Sequence, residues 1–180
     1  MITLTKTIMT IAHIVMASIT INAQSNTEFG VKGGTNITKL KNGDGKVNIG
    51  VVAGVFAEFK VSEKFSIRPE VLFSTRNIKV GSGKDNLGYI NVPVLAKFYF
   101  LDKFSVEAGS QFGYLILKED GSLNKTNYRE IELGAVFGAS YRITDHLEGG
   151  VRYNLGVRNL TKSGGDVKNS SLQSTLSYGF

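Results

Sequence analysis

The feature that most constrains this chain is a period-two alternation of apolar residues that runs from Glu28 to the C-terminus. In the segment 49–59 every odd position is apolar, while the even positions mix glycine with Val52, Phe56 and Glu58. Successive side chains of a β-strand point to opposite faces, so the pattern predicts strands with one apolar and one mixed face. After Glu28, no window of helical length has apolar residues at positions i, i+3, i+4 and i+7. The sequence therefore predicts an all-β fold.

The same alternation recurs in seven further segments, which makes eight predicted strands. The first has Phe29 and Val31 on its apolar face, and the last has Leu176, Tyr178 and Phe180 there. These strands are about 10 to 14 residues long, whereas globular strands average about 5 to 6. The length suits the roughly 9 to 11 tilted residues that cross a bilayer. We therefore expect an antiparallel, eight-stranded transmembrane β-barrel with its apolar face in lipid.

Small residues recur on the mixed face, and the chain as a whole has 21 glycines among 180 residues. A closed barrel of eight strands has an interior only just wide enough to be filled by side chains. Long charged residues fit into such a lumen if small residues face them, so the mixed face is expected to line the lumen. The glycines on this face are Gly30, Gly34, Gly50, Gly54, Gly109, Gly113, Gly134, Gly138, Gly150 and Gly156.

The predicted connections alternate between short and long along the chain. Outer-membrane barrels have short periplasmic turns and longer external loops, so the alternation fits a barrel with a periplasmic N-terminus. Aromatic residues also gather near the short connections, as in one half of an aromatic girdle. The predicted short connections are 60–64, 101–103 and 143–146, and the predicted loops of about 9 to 11 residues are 39–47, 77–86, 118–128 and 159–169.

The N-terminal segment has the features of a secretory signal peptide. After Lys6, residues 7–21 carry no charge, and the small residue Ala23 suits the position before a peptidase cut. The uncharged stretch is shorter than the roughly 20 residues that a transmembrane helix needs. We predict a cleavable signal peptide over residues 1–23 and the barrel domain over residues 24–180. A buried N-terminal helix of a cytosolic protein is the alternative.

The mixed face carries acidic and basic residues in equal number. Unpaired charges in a narrow interior would be strongly unfavourable, so a network of ion pairs that plugs the lumen is expected. A narrow ion pathway or a switchable plug is the alternative. The charged residues of this face are Lys32, Glu58, Arg68, Glu70, Arg76, Lys97, Glu107, Glu130, Glu132, Arg142, Glu148 and Arg152. Those assigned to the network are Lys32, Glu58, Arg68, Glu70, Lys97, Glu107, Glu132, Arg142 and Arg152.

Six segments and a terminal Phe180 follow one another in a characteristic order: FGVKGGTNI, YINVPVLAKFYF, GSQFGYL, LGAVFGASYRI, RYNLGVRN and LSYGF. Together they resemble the PorT-like outer-membrane β-barrel domain family, common in Bacteroidetes, over nearly the whole chain after residue 23. The resemblance implies an outer-membrane location in a Gram-negative bacterium. It also implies that Tyr178 and Phe180 form a C-terminal signal read by the barrel-assembly machinery. One founding member is tied to the secretion of surface proteases, which implies secretion-system components as partners.

Residues suited to catalysis or metal binding are sparse. The chain has no cysteine, and His146, beside Asp145 in a predicted turn, is the only histidine after residue 23. Nucleophile-elbow, zincin and P-loop motifs are absent from the sequence. We therefore expect no enzymatic activity, no cofactor and no metal site. Dispersed lysines without an aromatic platform also disfavour nucleic-acid binding.

The predicted external loops contain more lysines than acidic residues. Basic residues near a membrane surface interact favourably with anionic head groups, by about 1 kcal/mol each. Lipopolysaccharide contacts are therefore expected at Lys39, Lys41, Lys79 and Lys84, with loops that are merely solvated as the alternative. We expect a monomer with a plugged lumen and a role in envelope structure or in surface-protein export. The two rival functions are a small outer-membrane channel and a soluble lipocalin-like carrier with an internal ligand cavity.

Overall fold

The computed structural model describes residues 27–40, 47–80, 83–119, 130–159 and 168–180. All eight elements in this part of the chain are β-strands, and each is antiparallel to its neighbours. Among the described residues, no helix has the length and apolarity needed to span a membrane. The strands are β1 (Thr27–Leu40), β2 (Val47–Ser62), β3 (Phe65–Val80), β4 (Gly83–Leu101), β5 (Phe104–Glu119), β6 (Ile131–Arg142), β7 (Leu147–Asn159) and β8 (Lys168–Gly179).

The strands follow one another in chain order around a closed barrel. Closure is made by β1, which pairs with β2 on one side and with β8 on the other. Thr35, for example, lies opposite Val51 in the first ladder and opposite Ser174 in the second. Closure leaves no strand with an unpaired edge, which is a condition for a β-structure that spans lipid. The antiparallel eight-stranded barrel predicted from the alternation is confirmed.

The alternation decides which side chains point outward and which point inward. On β2, Val51 and Val55 point outward with more than half of their surface exposed, while Val52, Phe56 and Glu58 are buried inside. The apolar face is thus the outer face along all eight strands. A soluble carrier with an apolar internal cavity is the wrong alternative, because the barrel turns its apolar residues outward and its charges inward.

The interior contains more polar than apolar side chains. Arg68, Lys97, Glu58 and Glu70 are among the largest fully buried residues of the described chain. Buried polar groups are stable only when they are hydrogen-bonded, so the interior has to be organised around polar contacts. The buried apolar residues are Val52, Phe56, Leu72, Leu87, Tyr89, Leu95 and Val136.

Two-residue and four-residue turns close one end of the barrel, which we call the short-turn end. They are Glu63–Lys64, Asp102–Lys103 and Ile143–His146, within the short connections predicted from the sequence. Phe29 of β1 and Phe180, which follows β8, also lie at the short-turn end, where the backbone N–H of Phe180 donates to the carbonyl oxygen of Phe29 at 2.9 Å. Outward-facing aromatic residues surround this end, among them Phe29, Phe98, Phe100, Tyr178 and Phe180.

The prediction of a long loop over residues 77–86 is wrong. β3 continues to Val80 and β4 begins at Gly83, with Asn77 opposite Asn86 and Ile78 opposite Asp85. The Asn, Gly, Ser and Lys residues of this segment are typical of loops. The hydrogen-bonded ladder between β3 and β4 nevertheless continues through the segment, so pairing outweighs the loop propensity of the residues. For this reason β3 and β4 are 16 and 19 residues long, beyond the predicted range of about 10 to 14. The other predicted loops, apart from their edges, and the predicted signal peptide lie outside the described residues.

Candidate functional site

Ten charged side chains on the inner face form three groups that follow one another along the barrel. β3 contributes to each of them in turn, through Arg68, Glu70 and Arg76. The lower group, nearest the short-turn end, consists of Glu58, Arg68, Lys97 and Glu148. The middle group consists of Lys32, Glu70, Glu107 and Arg152. The upper pair consists of Arg76 and Glu132.

In the lower group, two cations share two carboxylates. The Arg68 guanidinium donates from Nε to Glu58 Oε2 at 2.8 Å and from Nη1 to Glu148 Oε1 at 2.6 Å. Lys97 Nζ lies 2.7 Å from Glu148 Oε2 and 3.3 Å from Glu58 Oε2. The Ser66 hydroxyl donates to the remaining oxygen of Glu58 at 2.6 Å. All four carboxylate oxygens are therefore engaged.

Aromatic rings enclose the lower group on two sides. The Tyr99 hydroxyl donates to Glu58 Oε1, and the Tyr99 ring lies 5.1 Å from Lys97 Nζ. On the other side, the Arg68 guanidinium lies over the Phe56 ring at 4.2 Å from its centroid. Cation–π contacts of this kind stabilise a desolvated cation in addition to its ion pairs. Tyr99 thus separates the lower group from the opening at the short-turn end.

The middle group is built around the forked guanidinium of Arg152. It donates to Glu70 from Nη1 at 2.6 Å and from Nη2 at 2.8 Å. Its Nε donates to Glu107 Oε1, and its Nη2 donates to Glu107 Oε2 at 3.1 Å. Lys32 Nζ lies 2.5 Å from Glu70 Oε1. Planar two-pronged pairing of this kind is the strongest arrangement of arginine with carboxylate.

Glycine makes room for the middle group. A Cβ atom on Gly138 would lie 2.8 Å from Arg152 Cγ and 2.9 Å from Glu107 Oε1. Because the carbonyl oxygen of Val151 also lies 2.8 Å away, any larger residue at this position would have to shift the Arg152 side chain, the Glu107 carboxylate or the backbone of β7. Gly138, one of the lumen-facing glycines predicted from the pattern, therefore leaves the space that the Arg152 side chain needs to cross the narrow lumen.

The upper part of the lumen contains one ion pair among amides and hydroxyls. Arg76 Nη1 donates to both oxygens of Glu132, at 2.8 and 2.7 Å, and the guanidinium lies 4.5 Å from the centroid of the Tyr89 ring. The Asn91 amide donates to Ser74 Oγ at 2.7 Å and accepts from Gln111 at 3.2 Å. Among the described residues, charge density therefore falls from the short-turn end towards the opposite end of the barrel, which we call the long-connection end.

Each of the three groups is electrically balanced. The lower and middle groups hold two cations and two carboxylates each, and the upper pair holds one of each. Removing one member of a buried ion pair typically costs about 3 to 5 kcal/mol, because the other charge stays buried without compensation. The charges within each group are therefore interdependent, and the loss of one member is expected to destabilise the barrel.

Little space remains between these groups. A cavity of about 20 Å³ lies beside Arg76 and Asn154, and one of about 10 Å³ lies between Arg68 and His146. A single water needs roughly 10 to 15 Å³ of such volume. In the part of the chain that the structure describes, these two cavities are too small to join into a passage.

The structure brings eight of the nine residues assigned to the network into the three groups. The ninth, Arg142, lies at the short-turn end, where its guanidinium is 5.5 Å from the centroid of the Tyr99 ring. Glu148 and Arg76 are members that the assignment left out, although both occupy the mixed face by parity. Glu130 is exposed and precedes β6. The sequence did not indicate that Tyr99 and Ser66 donate hydrogen bonds to Glu58, because parity identifies the face on which a neutral residue lies but not the residue that it contacts.

The proposed assembly signal lies on the outer surface at the short-turn end. Tyr178 exposes 47% of its surface and Phe180 exposes 75%. The Tyr178 ring lies between those of His146 and Phe180, with both centroids at 5.8 Å. His146 also accepts a hydrogen bond at its carbonyl oxygen from the Gly179 N–H, at 2.9 Å. His146 is thus an exposed turn residue that contacts the end of β8.

Of the four residues proposed for lipopolysaccharide, the three with a described backbone lie at the end of the barrel opposite the short-turn end. Lys39, Lys79 and Lys84 are in β1, β3 and β4, but their side chains are outside the described part, and Lys41 is outside it entirely. Within the described ranges, no group of three or more His, Asp or Glu residues is arranged to hold a metal ion.

Sequence comparison identifies one family. A family described as "Outer membrane protein beta-barrel domain" matches residues 22–162 of this chain. No curated protein matches the chain in sequence.

Solved structures with a similar fold include outer-membrane proteins of Gram-negative bacteria. Neisserial surface protein A is 19% identical, with a TM-score of 0.58 over 87% of this chain and 100% of that one. Ail, the attachment invasion locus protein of Yersinia pestis, is 14% identical, with a TM-score of 0.56 and the same two coverages. OprG of Pseudomonas aeruginosa is 11% identical, with a TM-score of 0.50 over 87% of this chain and 97% of that one. At these identities the similarity concerns the fold.

Proposed function

We propose that this chain, which belongs to the outer membrane protein beta-barrel domain family, acts as a closed scaffold rather than as a pore. The protein is a β-barrel of the Gram-negative outer membrane. Its lumen is occupied by the three charged groups, and its function then resides on the surfaces at the two ends. By the usual topology of such barrels, the short-turn end faces the periplasm and the long connections face outward.

The observation that carries this proposal is the pair of bridges across the barrel axis. β3 and β7 lie on opposite walls of the eight-stranded ring, and two ion pairs join them, Arg152 with Glu70 and Arg68 with Glu148. An ion that moved along the axis would have to break both bridges and leave buried charges unpaired. The energetic cost of such a rearrangement supports a lumen that stays shut.

Planar-bilayer recording tests the closed lumen directly. The purified barrel, shown to be folded by its heat-dependent shift in gel migration, is expected to give no steady unitary currents. A double variant that removes both bridges, Arg68→Ala with Arg152→Ala, is expected to conduct once it is inserted in the bilayer. Arg142→Ala, which lies outside the three groups, serves as the control. Steady unitary currents from the unaltered folded barrel would overturn the proposal and favour the channel.

A narrower role follows from the resemblance to the PorT-like family. We propose that the barrel is either a structural envelope protein or an accessory to surface-protein export. Crosslinking in intact cells, followed by identification of the captured proteins, tests this role: capture of secretion-system components supports the accessory role. Capture of no such component would leave the structural role as the better proposal.

We also propose that the barrel is a monomer.

We further propose that the long-connection end contacts lipopolysaccharide through Lys39, Lys41, Lys79 and Lys84. The excess of basic residues near that end supports this contact, since anionic head groups attract basic residues. A pull-down with charge-reversed variants at these four positions is expected to lose lipopolysaccharide. Retention by the reversed protein would overturn the contact.

A further inference from the structure

A recess of about 660 Å³ opens at the short-turn end, below the lower group. We call it the mouth recess, and we define it by Lys60, Lys64, Tyr99, Phe100, Leu101 and Arg142, which line it. Tyr99 forms its inner limit, because the Tyr99 hydroxyl is bonded to Glu58 of the lower group. The mouth recess is much larger than the cavity of about 10 Å³ between Arg68 and His146, which Arg142 also lines.

Arg142 enters the mouth recess because its expected partner is occupied elsewhere. In the β6–β7 ladder Arg142 lies directly opposite Glu148. The Glu148 carboxylate, however, turns inward and binds Arg68 at 2.6 Å and Lys97 at 2.7 Å. Arg142 is left half-buried, with its guanidinium over the Tyr99 ring and with no ion pair to any residue of the described chain. A guanidinium in this state presents several N–H donors to a ligand.

The rest of the lining adds positive charge and an apolar rim. Lys60, Lys64 and Arg142 face two carboxylates, Glu63 and Asp102, so cations are in excess. Within the described ranges none of these charged groups forms an ion pair within 4.0 Å, so each can reorient towards a ligand. Phe100 and Leu101 expose 47% and 64% of their surfaces beside them.

This combination suits a lipid head group better than a wholly polar solute. Arginine matches phosphate oxygens with a planar fork, and lysines add point charges. Phe100 belongs to the aromatic belt at the short-turn end, and such belts lie at the depth of the lipid head groups. A ligand with a phosphate at the guanidinium and a glycerol backbone against the rim would use both parts of the lining.

We propose that the mouth recess binds the phosphate of an anionic phospholipid from the leaflet at the short-turn end. Arg142 holds the phosphate, Lys60 and Lys64 contribute charge, and the exposed faces of Phe100 and Leu101 contact the apolar part. This site is separate from the closed lumen and does not depend on whether the lumen conducts.

Native mass spectrometry of the purified barrel in detergent tests the proposal. Phosphatidylglycerol and phosphatidylcholine with identical acyl chains are added in turn, and the lipid retained by each protein is counted. The unaltered barrel is expected to retain phosphatidylglycerol in preference. Arg142→Gln and Lys60→Gln are expected to weaken that retention, the first by about tenfold or more, since a charge-assisted hydrogen bond is lost.

Two controls make the result decisive. Lys103→Gln removes a lysine from the same end of the barrel but outside the lining of the mouth recess, and it is expected to retain phosphatidylglycerol normally. The heat-dependent gel shift establishes that each variant is folded. Equal retention by Arg142→Gln and the unaltered barrel, or equal retention of the two lipids, would overturn the proposal.

A titration with inorganic phosphate separates a lipid site from a site for a soluble phosphate. It is followed by the NMR signal of the Arg142 Nε–H group, and Arg142→Lys, which lacks this group, assigns the signal. A small or absent response to inorganic phosphate together with strong retention of phosphatidylglycerol supports the lipid. Saturation by inorganic phosphate without retention of phosphatidylglycerol would contradict it.

Discussion

Arg152 on β7 donates two hydrogen bonds to Glu70 on β3, although 82 positions separate them in the chain and they stand on opposite walls of the barrel. The same guanidinium also holds Glu107, and Glu70 also holds Lys32. One cation thus ties β7 to β3 and β5, and β1 joins through Lys32. The middle group connects four of the eight strands through side chains, in addition to the ladders that connect neighbours.

The first prediction concerns this connection. Arg152→Met is expected to lower the free energy of unfolding by about 3 to 5 kcal/mol, because Glu70 and Glu107 would stay buried with too little positive charge. Urea unfolding of the barrel in lipid vesicles measures the change. Arg142→Met, which removes a cation that has no ion pair to the described chain, is the control and should cost less than about 1 kcal/mol. Equal losses for the two variants would contradict the arrangement.

The second prediction concerns Gly138, which lies against the middle group. Gly138→Ala is expected to destabilise the barrel by about 1 to 3 kcal/mol, because the new Cβ would overlap Arg152 Cγ and Glu107 Oε1. Gly33→Ala is the matched control, since a Cβ there meets no atom within 4 Å. Urea unfolding of both variants tests the difference. A loss of stability in Gly33→Ala as large as in Gly138→Ala would show that chain flexibility, not space, is the cause.

The third prediction uses two valines on β2 that both point outward. Val55 lies near the middle of the strand and exposes 54% of its surface, and Val61 lies beside the short turn and exposes 62%. Val55→Arg is expected to cost about 2 to 4 kcal/mol, because the charge would sit near the middle of the bilayer, whereas Val61→Arg should cost about 0 to 1 kcal/mol. Unfolding in vesicles measures both. A cost that does not depend on position would argue against lipid contact along this face.

The fourth prediction concerns Tyr99, which separates the lower group from the mouth recess. Tyr99→Phe removes the hydroxyl that donates to Glu58, and a loss of about 1.5 to 3 kcal/mol is expected for a hydrogen bond to a buried charge. Tyr153→Phe serves as the control, because Tyr153 points outward with 44% of its surface exposed. Unchanged stability in Tyr99→Phe would indicate that Ser66, Arg68 and Lys97 suffice for Glu58.

The fifth prediction separates assembly in the cell from stability in vitro. Phe180 is largely exposed and follows the last strand, so Phe180→Ala should change the free energy of unfolding only slightly. If Phe180 is part of an assembly signal, the same change should reduce the amount of heat-modifiable barrel in the outer membrane. Phe98→Ala, an outward-facing aromatic at the same end, is the control. Normal amounts of Phe180→Ala barrel would remove the assembly role.

Several parts of the fold could be predicted from the chain alone because they depend on local periodicity. The position of Val51 and Val55 on one face of β2, and of Glu58 on the other, follows from the period of two, whereas the structure shows which of the two faces is outward. The segment 77–86 could not be predicted correctly, because its loop-like composition is outweighed by pairing that extends from the rest of β3 and β4. Local propensity decides a segment only where no ladder competes with it.

The partners of the charged residues required the tertiary structure. Arg142 and Glu148 are ladder neighbours and would be paired by any local rule, yet Glu148 binds Arg68 and Lys97 instead. Arg68 is 80 positions away from Glu148. Which side chains meet across a lumen depends on the tilt of the strands and the stagger of the ladders at closure, and neither is encoded in any single strand.

The amino-acid sequence by itself determined that this protein has eight strands, each with an apolar and a mixed face, and a balanced set of charges on the mixed face, because each of these properties depends only on residue type and parity. That the apolar face is the outer one was decided by the tertiary structure. The tertiary structure alone decided how those charges combine into three groups and why Arg142 remains available at the short-turn end. The physical reason is distance: parity acts between adjacent residues, whereas an ion pair across a closed barrel forms only when two distant strands are brought to the same height.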